Sequence, residues 1–301
     1  MKIIVTENFT LEPDQVERLK SLGEVFFLKD KASSKEESLK RLSDADILCA
    51  ESEPIEDVMY ELKDKFISFP FVGVGWIDLK KLSENNVRVA NAPGCNKMAV
   101  SEWILGMMII LSRKLLKYID IEETKESDFM EAMPGLAGKK VTILGKGNIG
   151  LRVGKICEAF DMTVTYFKRG DNLIESTNNA DFIVNCLAKN TETEGMIKKE
   201  FFEKLKRNSF FISITDTIIY DVDALINELE SGHLAGAAID PAGVGIFDVK
   251  SEIYQKLKRH PKIIVTPHIA FHTDMTTRVA NDIMIDNVEA WVKGKPQNIL
   301  N

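Results

Sequence analysis

An α/β fold built on parallel sheets is what this sequence predicts. Three observations predict it. Short apolar runs alternate with helix-length segments through the first hundred residues. A glycine-rich turn, Gly145-Lys146-Gly147-Asn148-Ile149-Gly150, stands between an apolar run and a helical pattern. The alternation then resumes and continues to about Pro267. Strands separated by helices of this length pair in parallel, because each helix is the crossover that returns the chain to the same end of the sheet.

Each element has a local reason. Residues 2–6, 25–28, 46–50, 67–72 and 87–89 carry the apolar, β-branched runs of buried strands. Residues 11–22, 35–42 and 79–84 lie between them with helical spacing. A long helix is expected over 98–118, followed by a charged segment over 120–131. A second α/β series begins at Lys139, with strands over 139–144 and 162–167 around a helix over 151–160. The last helix, 274–292, places Met275, Val279, Ile283, Met284, Val288 and Trp291 on one stripe that can pack back on the first series. The sequence contains no internal repeat and no low-complexity tract.

Composition bounds the function. A chain of 301 residues has room for about two domains. The net charge of −7 disfavours a general nucleic-acid binder, which needs a basic face. Cys49, Cys95, Cys157 and Cys186 are widely spaced without a CxxC pair, as expected of buried thiols in a reducing, cytoplasmic setting. That spacing offers no zinc site, and no metal is expected. The longest apolar run, Trp103 to Leu111, is nine residues, far short of the roughly 20 a membrane span requires. Met1-Lys2-Ile3-Ile4-Val5 reads as a strand rather than a signal peptide.

The glycine turn carries the first chemical signal. After a strand and before a helix, GxGxxG suits a dinucleotide. Gly145 permits the tight turn, Gly147 lets the backbone approach a diphosphate, and Gly150 lets helix and strand pack closely. The free N–H groups and positive end of the helix, from Asn148 and Ile149 on, then meet the anion.

Several ordered segments together resemble the D-isomer-specific 2-hydroxyacid dehydrogenase family. They are Val72-Gly73-Val74-Gly75-Trp76-Ile77-Asp78-Leu79, Asn91-Ala92-Pro93-Gly94 with Val100-Ser101-Glu102, and the glycine turn itself. Asp181 to Leu187 with Glu192 to Ile197, Ser231 to Asp240, and Thr266-Pro267-His268-Ile269-Ala270 complete the set. The resemblance implies two Rossmann-like, doubly wound domains with a cleft between them. The substrate domain would be discontinuous, residues 1–97 plus 271–301, and the nucleotide domain would span 98–270. It further implies that Leu187, Ala188, Thr193, Ile214 and Asp240 join the glycine turn in holding the cofactor. Val72, Gly73 and Val74 would contact a small carbonyl or hydroxy substrate, and a homodimer is usual.

In that family an arginine grips the substrate carboxylate, a histidine shuttles the proton, and a glutamate supports the histidine. The histidine matches His268. The arginine position is Asp216 and the glycine after it is Thr217, aligned without a gap by Asp221 and Ala224-Leu225. This reverses a charge. At ~4 Å and an effective dielectric near 20, a unit pair interacts by about 4 kcal/mol, so an ordinary 2-keto acid should bind poorly. The glutamate position falls on Gly245, and Asp248 can substitute only if its loop is rearranged. Asp216 is then a candidate partner for His268.

The strand ending at Phe167 is followed by Lys168 and Arg169, where a ribose-binding acid normally stands. Two cations suit a 2′-phosphate, so NADP is expected in preference to NAD. Three readings stay open: an active oxidoreductase with an altered substrate, a nucleotide-binding protein that has lost turnover, and a nicotinamide enzyme with Cys95 or Cys186 as a reactive thiol.

Overall fold

The computed structural model describes residues 1–7, 9–119, 132–241 and 248–301. The chain divides into two compact units, Met1–Asn96 with Thr273–Asn301, and Lys97–His272. Each is an α/β unit around one parallel sheet, as the alternation predicts.

In the first unit the strands are β1 (Lys2–Val5), β2 (Glu24–Phe27), β3 (Ile47–Cys49), β4 (Phe66–Ser68) and β5 (Arg88–Ala90). They lie in the order β2-β1-β3-β4-β5, and every pairing is parallel. β3 and β4 are buried at every residue, as strands covered on both faces must be. The helix Asp274–Val292 completes this unit. Met284, Ile285 and Val288 are fully buried in one cluster with Ile3, Val5, Ile47 and Phe66. The Ser68 hydroxyl donates to Met284 O at 3.0 Å, and Asn287 Nδ2 donates to Asn91 O at 2.9 Å.

The expected stripe on this helix needs one correction. Met275 is 52% exposed, and the buried face instead includes Ala280, Asn281 and Asn287. Small and amide residues define that face, so a line drawn through the apolar ones misses its edge.

In the second unit the strands are β6 (Lys140–Leu144), β7 (Thr163–Phe167), β8 (Phe182–Asn185), β9 (Phe210–Ser213), β10 (Gly236–Ile239) and β11 (Ile263–Val265). Their order is β11-β10-β9-β8-β6-β7, all parallel. The chain leaves β6 toward β7 on one side and comes back to β8 on the other. That reversal is a topological switch point, where the carboxyl ends of an open sheet leave a crevice.

The helix expected over 98–118 is two helices, Lys97–Ser112 and Leu115–Ile119. Lys114 between them has φ +50°, in the left-handed region. No glycine or proline announces this break, which is why periodicity alone runs through it. The charged segment over 120–131 lies outside the described residues, as does Gly245. Among the described residues no helix is long and apolar enough to cross a membrane.

Candidate active site

The glycine turn leaves β6 at the switch point. Gly145 has φ +100°, and a Cβ there would meet Cys186 O at 3.0 Å. Gly147 caps the helix Asn148–Ala159, and a Cβ on it would meet open space. No side chain caps this helix and its first turn, with Asn148 and Ile149, holds no acid. Its N–H groups therefore keep their capacity for an anion. At Gly150 a Cβ would lie 2.1 Å from Gly145 O. The glycines thus differ in their constraints: a left-handed turn, an open approach and a close packing contact.

Beside the turn lies a pocket of about 590 Å³. Gly145 lines it together with Lys168 and Arg169 from the end of β7 and Leu187, Ala188 and Thr193 from the loop after β8. That loop is built by its own sequence. Asn190 Oδ1 accepts from Glu192 N at 2.9 Å and Thr193 N at 3.2 Å, an Asx turn. The Thr193 hydroxyl donates to Ala188 O at 2.7 Å. Beneath it, buried Asn185 Nδ2 donates to Thr215 Oγ1 at 2.9 Å and ties the end of β8 to the end of β9. Ile214 is partly buried against the core cluster that includes Val184 and Ile212.

The fit to a dinucleotide is therefore structural: an uncapped helix end, an open glycine, and a pocket on the adjoining strand ends. The charged residues around it are held in different ways, and Asp171 binds the backbone of Lys168 rather than its ammonium. Arg169 forms an ion pair with Glu192. Asp171 Oδ2 accepts from Lys168 N at 2.8 Å. Lys146 Nζ lies over the Tyr166 ring, 5.1 Å from its centroid.

Asp216 follows β9. Its Oδ2 lies 2.7 Å from Lys189 Nζ, and its Oδ1 accepts from Ile218 N at 3.0 Å, capping the short helical turn Thr217–Ile219. The structure gives His268 no bond to Asp216. Instead, Asp216 is held by Lys189, a residue that sequence reasoning passed over because the two are 27 positions apart.

His268 follows β11 with φ +54°, a left-handed conformation that non-glycine residues adopt only under constraint. Asp240 supplies the constraint. Its Oδ1 accepts from Ile269 N and its Oδ2 from Ala270 N, both at 2.9 Å, and Oδ1 also accepts from the Thr266 hydroxyl. Asp240, expected to bind cofactor, thus spends both oxygens on the turn that carries His268. The His268 Nδ1 is buried and has no hydrogen-bond partner among the described residues. Burial lowers the imidazole pKa below its ordinary 6.5, and the Asp240 charge offsets this in part.

The thiols are not activated. Burial pushes Cys95 up to about 11 and Cys186 up to about 12, the opposite of a nucleophile's shift. In the first unit, Val72, Gly73 and Val74 lie in the loop after β4, which turns at Gly75 and Trp76. Asn91 Nδ2 donates to Val72 O at 2.9 Å, and Ile77 N donates to Val74 O at 3.0 Å.

Comparison with known proteins bears on this geometry. The family model for the D-isomer specific 2-hydroxyacid dehydrogenase NAD binding domain matches residues 105–270. Hydroxyphenylpyruvate reductase of Plectranthus scutellarioides is 30% identical over 78% of this chain and 77% of its own. The NAD-complexed D-isomer specific 2-hydroxyacid dehydrogenase of Lactobacillus delbrueckii ssp. bulgaricus aligns with a TM-score of 0.80 at 22% identity, covering 100% of both chains. An acyclic imino acid reductase in complex with NADPH and D-Arg aligns with the same TM-score, identity and coverage. The latter two show the shared fold. On the family match and the first relative, the chain belongs to the D-isomer specific 2-hydroxyacid dehydrogenase family, as an oxidoreductase whose second unit is the nicotinamide-nucleotide-binding domain.

Proposed function

We infer that this protein reduces a small carbonyl compound, or oxidises the matching alcohol, with NADP(H) in preference to NAD(H). The observation that carries the reading is the clamped His268 turn, in which Asp240 fixes a strained backbone at the end of β11. Strain of this kind costs about 1–3 kcal/mol and persists where the surroundings over-determine it.

When bound, the nicotinamide supplies or accepts the hydride. Gly147 and the uncapped helix end suit the diphosphate, and Lys168 and Arg169 suit a 2′-phosphate. His268 holds the proton that the carbonyl oxygen receives. Its Nδ1 is buried, which leaves Nε2 to exchange that proton with a substrate.

Asp216 and Lys189 set the substrate charge. At 2.7 Å the ammonium cancels most of the repulsion that Asp216 alone would exert on a carboxylate, but leaves no net attraction. A neutral carbonyl substrate fits that pair better than a 2-keto acid. The reading includes a homodimer, as is usual for the family, in the cytoplasm, where the buried Cys49, Cys95 and Cys157 stay reduced.

The Nδ1 of His268, without a partner among the described residues, favours a second reading, a nucleotide-binding protein with little turnover. NADPH consumption over a panel of aldehydes, ketones and 2-keto acids separates the two, with His268→Ala as control. Turnover on neutral carbonyls that His268→Ala abolishes supports the enzyme. No turnover on any class, with NADPH binding intact, supports the second reading.

A further inference from the structure

We propose that Glu192 is a cofactor-discriminating residue, a carboxylate supplied from the β8 loop that competes with a 2′-phosphate for Arg169. The proposal rests on the nucleotide reading above. The usual place for a ribose-binding acid, the end of β7, holds Lys168 and Arg169. An acid nevertheless reaches the same pocket from the other side of β6. Arg169 and Glu192 both line the pocket, and they form an ion pair between the end of β7 and the loop after β8.

Glu192 is aimed rather than loose. Its backbone N–H is held by Asn190 Oδ1 at 2.9 Å, in the turn whose other bond fixes Thr193. The alternative acid, Asp171, is already engaged, since its Oδ2 accepts from Lys168 N at 2.8 Å. The pair is open to solvent, with side chains 83% and 59% exposed. Exposed pairs hold by no more than about fivefold, so a doubly charged phosphate can displace Glu192 from the guanidinium. A dinucleotide without that phosphate leaves the pair closed. Arg169 therefore favours NADP, and Glu192 moderates the preference.

Dissociation constants for NADPH and NADH, titrated by fluorescence, test this with wild type, Glu192→Gln, Arg169→Ala and the double variant. Glu192→Gln should raise the ratio of NADH to NADPH dissociation constants by about three- to fivefold at low salt, and less at 0.5 M salt. Arg169→Ala should lower the ratio by about tenfold. In the double variant the effect of Glu192→Gln should vanish, because it acts through Arg169. With both cofactors binding, a ratio that Glu192→Gln leaves within twofold of wild type, or the same gain without Arg169, overturns the proposal alone. Wild type that binds neither cofactor overturns the nucleotide reading, and the proposal with it.

Discussion

Lys189 Nζ lies 2.7 Å from Asp216 Oδ2, so the loop after β8 and the end of β9 are joined by an ion pair. On the reading proposed above, this pair faces the substrate with a cation and an anion together. Asp216→Asn keeps an acceptor for Ile218 N, so the capped turn survives while the negative charge goes. Lys189 is then left as an uncompensated cation. For a 2-keto acid such as glyoxylate, KM should fall about tenfold, which is about 1.4 kcal/mol. A neutral aldehyde should be affected less than threefold. Steady-state kinetics on both substrates check this, and an equal response would remove charge as the cause.

The same pair marks where sequence reading stopped. The strand and helix order and the glycine turn were legible because each is a local pattern: an apolar period, a spacing, a short motif. Lys189 and Glu192 were not. Each lies more than twenty residues from its partner, and only the convergence of strand ends along one edge of the sheet, β8 with β9 and β7 with β8 across β6, brings them together. The role of Asp240 was half legible. Its motif placed it near the site, but not that both oxygens serve the backbone of the His268 turn. The break at Lys114 had no sequence signal at all.

Asp240→Asn should damage the His268 turn more than the fold. An amide keeps one acceptor but sets an NH₂ against a backbone N–H that a carboxylate oxygen accepts. Hydrogen bonds to charged groups are worth about 1.5–3 kcal/mol each, so a stability loss of about 2–3 kcal/mol is expected. His268 would lose its imposed φ of +54°, and turnover should fall at least tenfold. Denaturant unfolding and kcat on one preparation check both. A large stability loss with full kcat would show that the clamp serves only the fold.

The pH dependence follows from the buried His268. Burial lowers its pKa below 6.5. Carbonyl reduction needs the protonated ring, so kcat/KM should be highest at acid pH and fall as pH rises through that lowered value. Alcohol oxidation needs the neutral ring and should rise over the same range. His268→Gln should remove the limb in both directions. The sign for stability is opposite to that for reduction. A lowered folded pKa contributes stability that is present above pH 6.5 and is lost as pH falls through the folded value. A reduction profile that falls only well above pH 6.5 would assign the titration to another group.

Two glycines of one turn should differ in stability after the same substitution. A Cβ at Gly150 would lie 2.1 Å from the backbone oxygen of Gly145, which cannot rotate away. Gly150→Ala must separate helix from strand, and overpacking of this kind costs about 1–3 kcal/mol. Gly147 has φ −85° and open space where its Cβ would stand, so the fold tolerates alanine there within about 1 kcal/mol. That open space is where a diphosphate would approach the uncapped helix. Gly147→Ala should therefore keep its melting temperature within a few degrees and weaken NADPH binding at least tenfold. Gly150→Ala should lose both. Thermal unfolding with and without NADPH reads the two effects together, because a ligand raises the melting temperature only of a variant that still binds it. A Gly147→Ala protein stabilised by NADPH as strongly as wild type would place the diphosphate somewhere other than this helix end.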